Sequence, residues 1–269
     1  LKPRWNAILK VTGSSSTLFK NFDDQVRNKI RKAESRGVEI IKGNHNDIKL
    51  FYTFVAKKHS RTLEYYQTFA KEFGDDFEIY FAKLNSEKYL QNIKKLYELE
   101  VTNNEKINLE IQEKSTENKI TNKLMNTKIT SDKLLDTYKK ELIFASDLFA
   151  KNPSGIIIGA TAIILDKNGV ELLIEGQNSD YALYYPNYLT KWYIIEKYAK
   201  KGAIYFDLNA ITGYFADDSK YKGLNEMKLG YGAEVTEYIG EFDLVIKENA
   251  YKLYCKSKLF RNLIKRKTK

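Results

Sequence analysis

Between Gly74 and Pro153 the chain contains neither glycine nor proline. These two residues cost about 1 and about 3 kcal/mol in a helix interior, so a long run without them can propagate helix unbroken. Residues 87 to 151 are charged and polar, with lysines and acidic residues almost in balance. Sparse apolar positions fall at Leu90, Ile93, Tyr97, Ile107 and Ile111, and again at Leu135, Tyr138, Leu142, Ala145 and Phe149. The second series steps in the alternating threes and fours of a heptad seam. Two antiparallel helices turning near Ser115–Asn118 (STEN) fit this pattern, each about 45 Å long at about 1.5 Å per residue. A single long helix fits less well. The strand-like runs Phe77–Leu84 and Gly155–Leu165 flank the insertion, and a helical hairpin returns them side by side to one sheet. Such an arm can be a solvated strut, a dimer contact or an RNA-touching element, and pattern alone does not choose.

The remainder alternates between strand and helix. Trp5–Val11 (WNAILKV) and Val38–Ile41 read as strands, and Thr12 to Ser16 offers helix caps. Between them one amphipathic helix is expected, with Leu18, Phe22, Val26, Ile30 and Ala33 inward and Gly37 as its stop. Its other side carries Arg27, Lys29, Arg31, Lys32 and Arg36, a solvated face or a phosphate-contacting one. Asn44 to Asp47 caps a second helix with Ile48, Phe51, Phe54 and Val55 inward. Arg61 and Tyr65 stand four apart, sharing a face if helical. An arginine fork beside a phenol suits phosphate or carboxylate recognition, and equally a surface arginine packed on a tyrosine. Gly155–Gly176 is a hairpin around Asn168-Gly169. Tyrosines including Tyr181 and Tyr184 then lead into a helix with Leu189, Trp192, Ile195 and Tyr198 inward; they are core corners or ligand walls.

In Lys201–Ile246 a strand-like run, Ala203–Leu208, is followed by a polar loop, a compact turn around Lys228-Leu229-Gly230-Tyr231-Gly232, and further strand-like runs. The residues there are compatible with an ordinary hairpin carrying a solvated lysine, or with a lysine fixed where glycines let a ligand approach. Residues 252 to 269 carry eight basic side chains and no acidic one, so the tail accounts for most of the net charge of +10. Its apolar residues make it amphipathic, suited to RNA or to anionic headgroups. A single cysteine, Cys255, cannot form an internal disulfide, which points to a reducing compartment. No apolar run approaches a membrane span and no signal peptide is visible, so a cytoplasmic protein is expected.

Several blocks together resemble the FemABX family, the non-ribosomal peptidyltransferases of peptidoglycan cross-bridges. They are RNKIRKAESRGVEI (Arg27–Ile40), the Arg61…Tyr65 pair, the charged insertion before NPSGIIIGATAIIL, EGQNSDYALYYPNYLTKWYIIEKYAKKGAIYFDLNAITG, and GLNEMKLGYGAEVTEYIGEF (Gly223–Phe242). The last two are the most specific. The resemblance implies an α+β, acetyltransferase-like (GNAT-like) mixed sheet flanked by helices, with an inserted antiparallel two-helix coiled-coil arm at 86–152. It implies a first subdomain continued here by residues 1–44, a second at 45–269, and a basic tail at 252–269. The family's first subdomain normally begins well before a segment like Trp5–Val11, so part of that half lies outside this chain. Where members often carry a GGSS-like motif, this chain has Glu175-Gly176-Gln177-Asn178.

The reaction implied moves an amino acid from aminoacyl-tRNA to a side-chain amine of a peptidoglycan precursor, lipid-linked or soluble. No cofactor or metal is implied beyond aminoacyl-tRNA as co-substrate. By resemblance Lys228 is the catalytic residue, with Met227 walling the ester. Arg61 and Tyr65 bind the precursor, and Tyr181 and Tyr184 line its site. Lys256, Lys258, Arg261, Lys265 and Arg266 would contact tRNA or place the protein peripherally on the inner face of the membrane. Association with itself or with related ligases is a further expectation. Ester aminolysis needs positioning and a fixed positive charge more than a nucleophile. His45, His59 and Cys255 offer no triad. The rivals are an acyl-CoA-dependent acetyltransferase, whose pyrophosphate loop is not evident, and a tRNA- or membrane-binding remnant.

Overall fold

The structure is a computed structural model describing residues 4–58, 61–116, 119–216, 220–239 and 244–267, with side chains to residue 257. One compact unit spans Trp5–Thr236, and a second carries the segment from Glu237 onward. The first strand, β1 (Arg4–Lys10), leads into α1 (Ser15–Asn21), α2 (Asp24–Ser35) and β2 (Val38–Lys42). Helices α3 (Ile48–Val55) and α4 (Leu63–Phe73) precede β3 (Phe77–Leu84). The long helices α5 (Ser86–Thr116) and α6 (Asn122–Lys151) follow, then the hairpin β4 (Ile156–Leu165) and β5 (Gly169–Gln177). The chain continues through α7 (Pro186–Ala199), β6 (Tyr205–Ile211), α8 (Lys222–Leu229) and β7 (Glu234–Tyr238). Helix α9 (Glu248–Lys267) ends it.

The strands form a seven-stranded mixed sheet in the order β2-β3-β4-β5-β6-β1-β7. The β2–β3, β3–β4, β4–β5 and β1–β6 pairs are antiparallel, and β5–β6 is parallel. Alternation along the strands gives two cores. Tyr80, Ile158, Leu172 and Phe206 face α2 and α7, whereas Phe77, Ile79, Phe81, Ala160 and Ile174 face α3 and α4. Gly176 lets α3 close on β5: a Cβ there would stand 2.1 Å from the Phe54 carbonyl oxygen. Residues 4–44 supply β1 and β2 to this same sheet.

The single helix expected between the first two strands is instead two. Phe22 is extended and ends α1, its ring buried against Trp192 and Tyr231, and the Asp23 N–H donates to the Gly230 carbonyl at 2.8 Å. These partners lie some two hundred residues away, so the local helical pattern yields to tertiary contacts. Gly37 does stop α2, at φ +77°.

The Gly- and Pro-free insertion forms α5 and α6, of 31 and 30 residues, antiparallel and joining the adjacent strands β3 and β4. The Ser86 hydroxyl donates to the Asn152 carbonyl, bringing the two ends together. The link between the helices covers residues 117–121; its first two lie outside the described residues. Ile93, Ile107, Leu124, Ala145 and Leu148 are buried along the seam. One layer is polar. Buried Asn104 donates to Ser131 at 2.9 Å and to Asp132 at 2.8 Å, and accepts from Lys128 at 3.1 Å. A satisfied polar layer admits one register far better than its neighbours.

Candidate active site

Helix α8 is held from three sides. The Asn225 side chain donates to the Thr212 hydroxyl at 2.6 Å, tying the helix to the end of β6. Buried Tyr231, just past the helix, donates to the Tyr188 carbonyl at 2.9 Å and meets Phe22 edge to face. Gly230 accepts the Asp23 N–H, completing the frame. Successive helical residues point about 100° apart, so this frame sends Met227 and Lys228 different ways.

Met227 is half-buried and lines a cleft of about 510 Å³ with Asp23, Asp24, Lys29, Tyr188 and Glu226. Lys29 donates to the Tyr188 hydroxyl at 3.1 Å and lies over its ring. Lys228 turns inward and is only 6% exposed. Among the described residues its one hydrogen bond is to the Ala210 carbonyl, at 2.7 Å. Burial strips water from the ammonium and lowers its pKa to about 8. Glu175 and Asp207 act to keep it charged, and Lys191 and Lys58 act against that.

Three of those neighbours are themselves held in place, and Lys58 is exposed. Asp207, buried on β6, accepts from the Asn6 amide at 2.7 Å and from the Asn209 backbone at 2.6 Å. Lys191, on α7, is fully buried and ion-paired to Glu175 of β5, and burial lowers its pKa despite that partner. Of the two placements compatible with the sequence, a solvated lysine and a fixed one, the structure shows the fixed one: Lys228 is buried on the Ala210 carbonyl, with two carboxylates and two lysines acting on its charge.

Other expected residues fall into separate neighbourhoods. Arg61 precedes α4 rather than lying in it, because Thr62 caps the helix by accepting the Tyr65 N–H at 3.2 Å. Its guanidinium nevertheless lies 4.9 Å from the centre of the Tyr65 ring, and both residues are exposed. Lys58, three residues earlier, is close enough to act on Lys191 and Lys228; His59 lies outside the described residues. Tyr181 and Tyr184 sit at the base of the helical arm. The Tyr184 hydroxyl donates to that of Tyr89 at 3.1 Å, Tyr89 donates to Glu141 at 3.3 Å, and Glu141 pairs with Arg36. Tyr188 is the aromatic beside Met227 instead.

The basic side of α2 is largely engaged within the chain. Arg27 pairs with Asp24, Arg31 lies over Phe19, and Arg36 holds Glu141. Lys256 is exposed on α9, and the side chains of Lys258, Arg261, Lys265 and Arg266 lie outside those described. Among the described residues no helix is long and apolar enough to cross a membrane, and no three His, Cys, Asp or Glu side chains converge as a metal site requires.

The model of the FemAB family matches residues 1–258. The chain belongs to the FemAB family. A lipid II:glycine glycyltransferase of Staphylococcus epidermidis is 25% identical over 269 residues, covering 96% of this chain and 62% of that protein. The aminoacyltransferase FemA of the same species is 25% identical, covering 94% and 62%. The aminoacyltransferase FemB is 26% identical, covering 98% and 63%. The chain thus spans about 62% of the length of the first of these relatives. The crystal structure of FemX shares the fold, with a TM-score of 0.66 at 19% identity, over 94% of this chain and 64% of that one.

Within this FemAB member, sequence reasoning singled out Lys228 but not the charged groups that act on it. Lys191 carried a usable signal: it precedes Ile194, Ile195 and Tyr198 by three, four and seven, which places it on the buried face of α7. Asp207, inside an apolar strand, carried another.

Proposed function

We propose that this FemAB-family protein transfers an amino acid from aminoacyl-tRNA to a side-chain amine of a peptidoglycan precursor. The observation that carries the reading is the buried Lys228 ammonium, framed by α8, β6 and β5 within the region the family matches. The related glycyltransferase named for lipid II makes a lipid-linked precursor the first substrate to try.

In this reaction the acceptor nitrogen attacks the ester carbonyl carbon and forms the new amide bond. The bond from that carbon to the ribose oxygen breaks, and the proton lost by the amine ends on the departing hydroxyl. Negative charge develops first on the carbonyl oxygen and then on the ribose oxygen. Lys228 spends one N–H on Ala210, leaving donors for either oxygen in a site where low dielectric strengthens the contact. Met227 and Tyr188 line a cleft that Lys228 does not, and would wall the rest of the aminoacyl end. Arg61, over the Tyr65 ring and near Tyr66, would meet an anionic group of the precursor.

The finer reading follows from the same resemblance. The sheet is acetyltransferase-like, residues 1–44 belong to a first subdomain and residues 45–269 form a second, and α5 and α6 form a coiled-coil arm. Aminoacyl-tRNA is the only co-substrate, without cofactor. The basic tail, through Lys256, Lys258, Arg261, Lys265 and Arg266, meets tRNA or the inner face of the membrane, and the protein works in the cytoplasm, alone or beside related ligases. Incubation with labelled aminoacyl-tRNA and lipid II tests the central statement: label on the precursor supports transfer. Acceptance of acyl-CoA instead, or salt-sensitive tRNA binding without transfer, would replace it with another function.

A further inference from the structure

Among the described residues Lys228 makes its one hydrogen bond to the Ala210 carbonyl, so whatever places that carbonyl places the ammonium. A regular strand does not place it. From Asn6 to Ile8 the strand β1 advances two residues, while their partners on β6, Ala210 and Asp207, stand three apart. Strand β6 therefore carries one extra residue, a bulge, which re-aims the groups beyond it. In that bulge Asn209 adopts φ +68°, a left-handed conformation that asparagine tolerates and glycine takes without strain.

Glycine would supply the bend alone. Asparagine adds a lock. The Asn209 backbone N–H donates to the Asp207 carboxylate at 2.6 Å, and its side-chain oxygen accepts the Ala210 N–H at 2.6 Å. Its side-chain amide donates to two β5 carbonyls, Leu172 at 2.7 Å and Leu173 at 3.3 Å. The pairing of β5 with β6 ends at Glu171 and Asp207, so past that point this side chain joins the two strands. Asp207 is held in turn by the Asn6 amide at 2.7 Å, and Asn6 is the β1 partner of Ala210. The bonds thus run from Asn209 through Asp207 and Asn6 back to the residue that holds Lys228.

The helix carrying Lys228 is tied to the same strand end. The Asn225 side chain donates to the Thr212 hydroxyl at 2.6 Å and accepts the Thr212 N–H at 3.3 Å. Ala210 itself is exposed, so a substrate can approach this point. Resting on the transfer reading above, we propose that Asn209 is a positioning residue: by locking the β6 bulge it aims the Ala210 carbonyl, and so holds the Lys228 ammonium where the developing oxyanion meets it. A donor displaced by about 1 Å forfeits about 100-fold in rate, so such a lock has a measurable effect.

The test compares Asn209→Leu, which resists positive φ and lacks the lock, with Asn209→Gly, which keeps the bend and lacks only the side-chain bonds. Each is made in the parent and in Lys228→Met, and transfer from labelled aminoacyl-tRNA to lipid II is measured on protein shown to be folded by thermal unfolding. The leucine variant should lose about 10- to 100-fold in kcat with KM for both substrates unchanged, and the glycine variant should fall between it and the parent. With Lys228 gone, neither change should lower the remaining rate by more than about twofold, because residues acting through one group are not additive. A full loss in both backgrounds, which a merely structural residue would give, overturns the proposal. So does a glycine variant no better than leucine, or a loss confined to KM. Should the leucine variant not fold, the glycine variant decides: a loss in the parent that disappears with Lys228→Met supports the proposal, and no loss, or an equal one, overturns it. A readout without turnover separates this from the transfer reading. The two ε-methylene protons of a lysine held in one rotamer give distinct NMR signals, which merge when it moves; Lys228→Arg assigns them. Merging in the leucine variant of a protein that transfers nothing would keep the positioning and reject the function alone, and signals unchanged in that variant would overturn the positioning.

Discussion

Glu78 and Lys228 are each only 6% exposed, yet their surroundings differ in kind. Glu78 accepts from Lys42 at 2.5 Å and from the hydroxyls of Tyr80 and Tyr198, with the Lys197 ammonium at 3.6 Å. Burial pushes this carboxyl up, but the hydrogen bonds from Lys42, Tyr198 and Tyr80 outweigh it and hold the pKa at about 2. Lys228 has one carbonyl among the described residues, and burial prevails, bringing it down to about 8. The same depth therefore gives a charge with every partner it needs and a charge kept short of partners. The first belongs to folding. The second, on the proposed transfer function, is held in reserve for a substrate at some cost in stability.

Removing the ammonium is the largest way to break this contrast. Lys228→Met should lower transfer about 100- to 1000-fold, the loss expected for an oxyanion-site donor. Its thermal midpoint should stay level or rise, since a poorly compensated buried cation is gone. Near-normal turnover would sink the role assigned to Lys228. Glu78→Gln should do the reverse. Unfolding in urea should show a loss of about 3 kcal/mol, as when one partner leaves a buried ion pair, with unchanged transfer per folded molecule.

The pH dependence of stability sharpens the comparison. The folded pKa of Glu78 lies below the ordinary 4.5, so its contribution is complete above that value and is lost as pH falls toward about 2. Glu78→Gln should flatten that acid slope. The folded pKa of Lys228 lies below the ordinary 10.5, so between about 8 and 10.5 the unfolded chain binds more protons. Stability should therefore rise with pH across this window, with the penalty in full below about 8, and Lys228→Met should remove the rise. The smallest effect belongs to the arm. Asn104→Leu breaks a hydrogen-bonded layer whose Ser131 keeps Glu100 as partner, and should cost about 1 kcal/mol in unfolding experiments without changing transfer.

The regular elements were legible in the sequence because local pattern decides them. Phe77–Leu84 is β3 as read, Asn168-Gly169 closes the β4–β5 hairpin, and the Gly- and Pro-free stretch forms two antiparallel helices. The break at Phe22 was not legible, since Trp192, Tyr231 and Gly230 cause it from the far end of the chain. Nor was the place of Tyr184, compatible in sequence with a core corner or a ligand wall, which bonds Tyr89 at the arm's base. Lys228 could be singled out by its glycine-flanked motif, but its burial depends on how α8 is framed by Asn225, Tyr231 and Asp23. Polar residues on buried faces, such as Lys191 and Asp207, are the signal that leads from the motif to the charged groups acting on it.

The contrast between a satisfied charge and a reserved one rests on the ionisation of a single amine. An NMR titration of the Lys228 ε-methylene in the folded protein measures it directly. A midpoint of about 8 is the predicted result, and a midpoint at the ordinary lysine value of 10.5 would contradict the account.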